Sequence, residues 1–296
     1  MKYNSIQMNA EYTIGVDLGG TNVRAGLIDN GKVIKHASSK IPQTETDEKQ
    51  VLQCIIDTIH EVFVPNVTGI GIGIPGLFDQ QANIVHSVVN IPSFNSVPLQ
   101  RILSNRFNVP VFINNDVNCF ALGEKYYGVG KKYKNMVGLS LGTGMGVGII
   151  SGNKLFEDAN GGSGEFGEVP YLDANLEAYC SGQFFKRSLN KTGEEVYQLA
   201  KNGDKEALEA FKQFGKHLGN AIKIVLLTLD PEAIVIGGSV SLSNEFFHEH
   251  MIAEIQDFVF KKSVDRLQIT YATEKFSPIL GAAKLIVTSP VNSVLN

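Results

Sequence analysis

Asp17-Leu18-Gly19-Gly20-Thr21-Asn22 follows an apolar run at residues 12–16. The run reads as a strand, and a carboxylate ends it. Two glycines then permit a tight turn, and a hydroxyl and an amide follow. Bare backbone N–H groups beside the Thr21 hydroxyl suit phosphate oxygens, and the Asp17 carboxylate suits a hydrated Mg²⁺. A plain hairpin turn has the same composition, so this stretch needs a second signal.

That signal lies far downstream. Leu141-Gly142-Thr143-Gly144-Met145-Gly146-Val147-Gly148 also stands between two apolar runs, 136–139 and 148–150. Alternating glycines weaken a strand, so they mark a bulge or a close approach of backbone to ligand. A hairpin at a sheet edge is the plainer alternative. Two strand–turn–strand units, each with a threonine in its turn, point to a shared phosphate clamp.

Around these turns, strands are expected at 23–28, 32–40, 67–74 and 109–113, with Asp29-Asn30-Gly31 as a turn. The spacing of Val51, Leu52, Ile55, Ile56, Ile59, Val62 and Phe63 predicts a helix over 48–63. Asp116 reads as the cap of a helix over 117–127, stopped by Gly128. In the second half, helices are expected at 176–185, 193–201 and 205–229, the last broken by Asp230-Pro231. A buried strand at 233–236 runs into Gly237-Gly238-Ser239. Ser243 then caps a helix reaching 260, followed by a strand at 268–272 and a terminal helix at 281–287. Strands cluster near the start of each half. This predicts two related α/β lobes with a cleft between them, where ligand sites concentrate. The expected boundaries are 1–118 for a small N-terminal lobe, joined again by a helix within 280–296, and 119–279 for a larger C-terminal lobe.

The chain has 296 residues, 43% of them hydrophobic, which is ample for a packed core. A formal net charge of −4 gives no basic nucleic-acid footprint. No run of about 18 apolar residues predicts a membrane span. Residues 1–11 lack the apolar core of a signal peptide. Three scattered cysteines, Cys54, Cys119 and Cys180, argue against a disulfide framework and fit a reducing cytoplasm.

Asn115-Asp116 is the leading catalytic candidate. The aspartate sits where a strand ends and a helix begins, and a helix N-terminus favours an ionised carboxylate. Such a carboxylate can take the proton of an attacking hydroxyl. An ordinary N-cap is the alternative. Glu165, Glu168 and Glu177 form a second polar set able to accept from sugar hydroxyls, a solvated surface being their alternative. Asn90 and residues 73–76 would add amide and backbone contacts.

Asp17-Leu18-Gly19-Gly20-Thr21, Asn115-Asp116, Leu141-Gly142-Thr143-Gly144-Met145-Gly146 and Leu176-Glu177-Ala178-Tyr179-Cys180-Ser181-Gly182 resemble, in order, motifs of the ROK family of sugar kinases and repressors. The resemblance spans nearly the whole chain. It implies an α/β, two-lobed ribonuclease-H-like fold of the actin/hexokinase type with a central cleft. It implies ATP and Mg²⁺, and transfer of the γ-phosphate to the 6-hydroxyl of glucose or an N-acetylhexosamine, with N-acetylmannosamine or fructose as alternative acceptors. Under this resemblance Asp116 is the base, and Gly76, Asn90, Asn115, Glu165 and Glu177 contact the sugar. Gly19, Gly20, Thr21, Asn22, Gly142, Thr143 and Gly144 match the phosphate loops. Gly237 and Gly238 match the nucleoside side, and Asp17 lies near the metal. A homodimer is a family expectation.

One departure matters. Many relatives carry Gly-Glu-x-Gly-His and then a Cys-x-Cys-Gly cluster, which together hold a structural zinc. Here the first element reads Gly164-Glu165-Phe166-Gly167-Glu168, and residues 169–175 alone join it to Leu176-Glu177. With no cysteine cluster, no zinc is expected. Glu168 replaces a histidine that reaches the anomeric end of the sugar. A carboxylate accepts hydrogen bonds without donating, so preference there should change.

Two other classes compete. Repressors of the family resemble kinases preceded by a winged helix-turn-helix, and the roughly ten residues before the first strand are too few for such a module. A chaperone-like ATPase of the same superfamily would hydrolyse ATP without sugar.

Overall fold

The computed structural model describes residues 11–42, 48–79, 84–88 and 91–288. The chain folds into two units, each packed chiefly on itself. The first holds the described residues up to Gly123, Ala159–Gly161 and those from Phe276 on; the second holds Glu124–Asp158 and Gly162–Lys275.

Unit 1 begins with strands β1 (Tyr12–Leu18), β2 (Asn22–Asp29) and β3 (Lys32–Lys40), then helix α1 (Glu48–Val62) and β4 (Val67–Ile74). A small hairpin, β5 (Gly76–Asp79) and β6 (Ile84–Val88), leads to α2 (Leu99–Phe107), β7 (Val111–Asn115) and α3 (Asp116–Tyr126). The sheet order is β3-β2-β1-β4-β7. β1 runs antiparallel to β2 and parallel to β4, and β4 runs parallel to β7. α1 buries Val51, Ile55, Ile59 and Val62 on one face, as its spacing predicts. Each such side chain contributes roughly 1.5–3 kcal/mol on burial. β7 is shifted from the expected 109–113: pairing of Gly73 with Asn114 and of Ile74 with Asn115 carries it to the asparagines.

Unit 2 opens with β8 (Met136–Leu141), β9 (Met145–Ser151) and β10 (Lys154–Leu155). A two-strand hairpin follows, β11 (Pro170–Tyr171) and β12 (Ala174–Asn175), and then helices α4 (Leu176–Cys180), α5 (Gly182–Leu189), α6 (Gly193–Lys201) and α7 (Lys205–Leu229). β13 (Ala233–Gly237), α8 (Asn244–Ile255), α9 (Lys261–Arg266) and β14 (Gln268–Tyr271) complete it. The sheet order is β10-β9-β8-β13-β14. Its strand senses repeat those of unit 1: β8 antiparallel to β9, then parallel to β13, which is parallel to β14. Two sheets of the same order and sense are what two related lobes require.

Three expectations are corrected here. The helix expected over 176–185 breaks at Ser181, which caps α5 by accepting from Gln183 N. Ser243 makes no side-chain cap; a 3-10 turn, Ser239–Ser243, leads into α8, which ends at Ile255 and not at 260. The last helix, α10 (Ser277–Thr288), starts four residues earlier than the spacing suggests. It packs on β1 and β4 of unit 1, burying Ile279, Leu280, Ala282, Ala283 and Leu285. Among the described residues no helix is long and apolar enough to cross a membrane.

Candidate active site

In unit 1 the carboxyl ends of three parallel strands meet. Asp17 on β1 pairs in register with Gly73 on β4, and Gly73 with Asn114 on β7. Ligands of α/β sheets collect at such strand ends. The β1–β2 connection is a tight turn closed by Gly19 N donating to Asn22 O at 2.8 Å. Thr21 and Asn22 are exposed on it, and the Asn22 amide donates to Thr21 Oγ1 at 3.0 Å. Asp17 is 8% exposed. Arg24, directly across on β2, pairs with it through Nη2 and through Nε at 2.9 Å, both on Oδ2. A Mg²⁺ that arrives with ATP needs only one or two protein carboxylates, its other ligands being phosphate oxygens and water. Asp17 fits that role, since Arg24 engages a single carboxylate oxygen. Among the described residues no group of three or more His, Cys, Asp or Glu could hold a metal ion by itself.

The start of α3 differs from expectation in an informative way. Asp116 is the first helical residue, and Asn115 does the capping: its Oδ1 accepts from Val117 N at 2.8 Å and Asn118 N at 3.4 Å. Asn114 Oδ1 in turn accepts from the Asn118 amide at 2.9 Å. Asp116 Oδ1 accepts from Val117 N at 2.9 Å. Asn115 therefore serves as the cap, Asp116 Oδ1 sharing Val117 N with it, and Asp116 stands one residue past the capping position. The buried Cys119 thiol is pushed well above its ordinary range by burial, then by Asp116, then by Asp17. A Cβ on Gly73 would stand 3.1 Å from both Asp116 Cα and Cys119 Sγ, so the thiol lies directly behind the strand ends. Gly76 opens β5 immediately beyond β4. Asn90 lies outside the described residues.

In unit 2 the second Gly/Thr loop joins β8 to β9, closed by Gly142 N donating to Gly144 O at 3.0 Å. The N-terminus of α5 rests on it: Gly182 N donates to Gly142 O at 2.8 Å, and Ser181 Oγ donates to Thr143 O at 3.1 Å. From the other side comes the end of β13, where Gly237 pairs with Ser140. Gly238 has φ +85°, and a Cβ there would stand 2.3 Å from Leu141 O, so only glycine fits. Beyond these loops lies a cavity of about 500 Å³, lined by Gly142, Thr143, Gly182, Gln183 and Ser239, by the charged Lys186 and Glu194, and by Phe185, Tyr197, Val240 and the exposed Leu242. Its lining mixes loop backbone, hydroxyls and charge with the apolar faces of Phe185 and Val240. Sequence reasoning missed Gln183, Tyr197 and Leu242. Ser181 and Gly182 are visible inside the quoted motif, but as helix rather than as a cap.

The three glutamates fall near one another. Glu177 Oε2 accepts from Met145 N at 3.1 Å, and its Oε1 from the Gln183 amide at 2.7 Å. It therefore braces the phosphate-type loop, which the sequence does not suggest. Glu168 accepts from the Asn175 amide at 3.3 Å. Glu165 is open to solvent over much of its surface, yet protein packed around its carboxyl, then the like charges of Glu168 and Glu177, push that carboxyl up.

The chain belongs to the ROK family, whose model matches residues 13–289. The glucokinase of Thermotoga maritima is 29% identical over 306 residues, covering 92% of this chain and 96% of that one. The xylose repressor of Bacillus spizizenii is also 29% identical, covering 94% of this chain and 77% of its own length. Among solved structures, a ROK family glucokinase from Streptomyces griseus in complex with glucose and AMPPNP superposes with a TM-score of 0.81 at 25% identity, covering 93% and 98% of the two chains. The fold is accordingly the ribonuclease-H-like, actin/hexokinase-type α/β fold.

Proposed function

We propose that the chain is an ATP-dependent hexose kinase acting at the 6-hydroxyl of glucose or an N-acetylhexosamine. The observation that carries this reading is the position of Asp116 at the strand ends of unit 1, where Gly73 is the register partner of Asp17 and a Cβ on it would stand 3.1 Å from Asp116 Cα, with Asn115 leading the helix cap. The likeness to a glucokinase crystallised with glucose and an ATP analogue supports it.

In this reading Asn115, Glu165, Glu168 and Glu177 bind and orient the sugar, with Gly76 and Asn90 as further contacts. Asp116 takes the proton of the 6-hydroxyl as its oxygen bonds the γ-phosphorus, and the bond from that phosphorus to the β–γ bridging oxygen breaks to release ADP. Gly19–Asn22 and Gly142–Gly144 border the phosphates, with Thr21 and Thr143 and the backbone N–H groups other than those of Gly19 and Gly142, which close the turns, as donors. Gly237 and Gly238 border the nucleoside. Mg²⁺, held near Asp17, would neutralise charge on the β- and γ-phosphates.

A coupled ADP-release assay across glucose, mannose, fructose, N-acetylglucosamine and N-acetylmannosamine tests the reading. Sugar-dependent ADP release is expected. The xylose repressor relative makes a sugar-responsive regulator the second reading. Sugar binding with no ADP release, together with salt-sensitive DNA binding, would favour it.

The crowded glutamates give a further expectation. Because the folded Glu165 carboxyl titrates above its ordinary range, the folded state holds its proton more tightly than the unfolded chain does. Stability from this group is present at low pH and is lost as pH rises through the raised value. Glu165→Gln should therefore slightly raise the melting temperature at neutral pH while weakening hexose binding. A calorimetric melt and a sugar titration of the variant check both signs; a lower melting temperature would show that the repulsion is unimportant.

A further inference from the structure

The segment between Glu168 and Gly182 contains a cluster that neither phosphate binding nor base chemistry uses. The hairpin β11–β12 turns at Leu172, whose φ of +52° is unfavourable for a leucine, so contacts outside the turn hold its shape. Three rings form a triangle behind it. Tyr171 of β11 meets Tyr179 of α4 at 5.4 Å and His217 of α7 at 5.7 Å, both edge-to-face. Tyr179 and His217 stand 4.8 Å apart. These are the separations and angles that aromatic pairs prefer. The Tyr171 hydroxyl and His217 Nδ1 are hydrogen-bonded at 3.1 Å. Asp173, in the hairpin turn, accepts from the Tyr179 hydroxyl and from Arg187 Nη2 of α5, the latter at 3.2 Å to each oxygen. The guanidinium also lies 5.2 Å from the centre of the Tyr179 ring.

The ends of this hairpin lead straight to the glutamates. Asn175, its last residue, donates to Glu168 and caps α4 by accepting from Ala178 N at 3.0 Å. Leu176 N donates to Val169 O at 3.0 Å. Glu177 is the second residue of α4.

The zinc implied by the family resemblance does not fit these donors. Cys180, the nearest thiol, is buried in the apolar core of unit 2, and burial drives its thiol far upward. Asp173 is already engaged by Tyr179 and Arg187.

We propose that Tyr171, Tyr179 and His217, with Asp173 and Arg187, form a metal-free staple that fixes hairpin β11–β12 and α4 to α7 and so positions Glu168 and Glu177. Tyr171 and His217 are positioning residues. The Asp173–Arg187 pair is exposed, at 72% and 44% for the two side chains, so it adds little, and the ring triangle carries the staple.

Hydrogen–deuterium exchange and sugar kinetics on the full chain test this. In His217→Ala and Tyr171→Phe, amides of residues 168–180 should exchange about three- to tenfold faster, the factor that one lost hydrogen bond or ring contact supports, while those of β1 and α1 keep their rates. Arg187→Ala should change them less. The sugar KM should rise by a similar factor and the nucleotide KM by less, since Glu177 also braces the Gly/Thr loop at Met145 N, whereas mere loss of folded protein would lower kcat and leave both KM values alone. Tyr171→Phe keeps the ring and reads the hydrogen bond to His217 alone. Unchanged exchange over 168–180 in Tyr171→Leu, which removes one ring of the triangle, would overturn the proposal. So would one tightly bound zinc per chain whose chelation produces the same loosening. The kinetic arm rests on the sugar reading of Glu168 and Glu177. If the wild type phosphorylates no hexose, that reading fails, while the exchange arm still decides the staple.

Discussion

Asp116→Asn should lower kcat for hexose phosphorylation by about 10²–10⁴-fold, the usual contribution of a positioned general base. It should leave hexose affinity within about threefold of wild type and the melting temperature nearly unchanged. The separation of these effects follows from the start of α3. An N-cap aspartate would stabilise the helix, and its loss would cost about 0.5–2 kcal/mol. Here Asn115 Oδ1 takes Val117 N and Asn118 N, so the cap survives the substitution. Asparagine at 116 also retains an oxygen able to accept from Val117 N, as Asp116 Oδ1 does at 2.9 Å. What it cannot do is take a proton from an alcohol. Asn115→Ala should give the opposite signature, a lower melting temperature together with weaker sugar binding. Turnover of Asp116→Asn near that of wild type, measured by ADP release at saturating sugar, would remove Asp116 from the mechanism.

The parts of this molecule that sequence discloses are those fixed by local chemistry. Asp17–Asn22 and Gly142–Gly144 announce themselves by their glycines, none of which has a positive φ, though a Cβ at 144 would stand 2.4 Å from Glu177 Oε2. α1 does so because Val51, Ile55, Ile59 and Val62 repeat at helical spacing. The break between α4 and α5 is hidden. Leu176–Cys180 and Gly182–Leu189 form one apolar helical pattern, interrupted because the Ser181 hydroxyl serves both Gln183 N and Thr143 O, 38 residues away in the chain. Hairpin β11–β12 is hidden for the same reason. Tyr171-Leu172-Asp173-Ala174 has no glycine or asparagine where φ turns positive, and its Tyr171 is hydrogen-bonded to His217 in α7, 46 residues away. Asp116 marks the limit of local reading: sequence offers a carboxylate at a helix start, and only the folded chain shows which of two adjacent residues does the capping.

The largest stability effect is expected at Gly71. In unit 1, Gly15 of β1 and Gly71 of β4 are register partners, so their missing side chains form one continuous trough across two strands. α10 lies in it. A Cβ on Gly71 would stand 1.8 Å from Ala282 O and 2.5 Å from Ala282 C, and one on Gly15 would stand 1.8 Å from Ile279 O. These neighbours are backbone atoms, so no rotamer change relieves the overlap and the helix itself must lift. Overpacking a core costs typically 1–3 kcal/mol where side chains can adjust. With a rigid helix in the way, Gly71→Ala should cost about 3 kcal/mol or more, a drop of roughly 6–12 °C in melting temperature for a chain of this size. Gly162→Ala is the matched control, since a Cβ there meets nothing within 4 Å; it should stay within about 0.5 kcal/mol of wild type. Equal melting temperatures for the two variants would mean that α10 is not seated in the trough. The same displacement should reach the chemistry. Gly281 of α10 packs against the backbone of Cys119, three residues beyond Asp116, with a Cβ position only 1.7 Å from Cys119 O. Lifting α10 therefore moves the start of α3. Gly71→Ala should lose turnover even at temperatures where it remains folded, with a smaller loss than Asp116→Asn because the carboxylate is displaced and not removed.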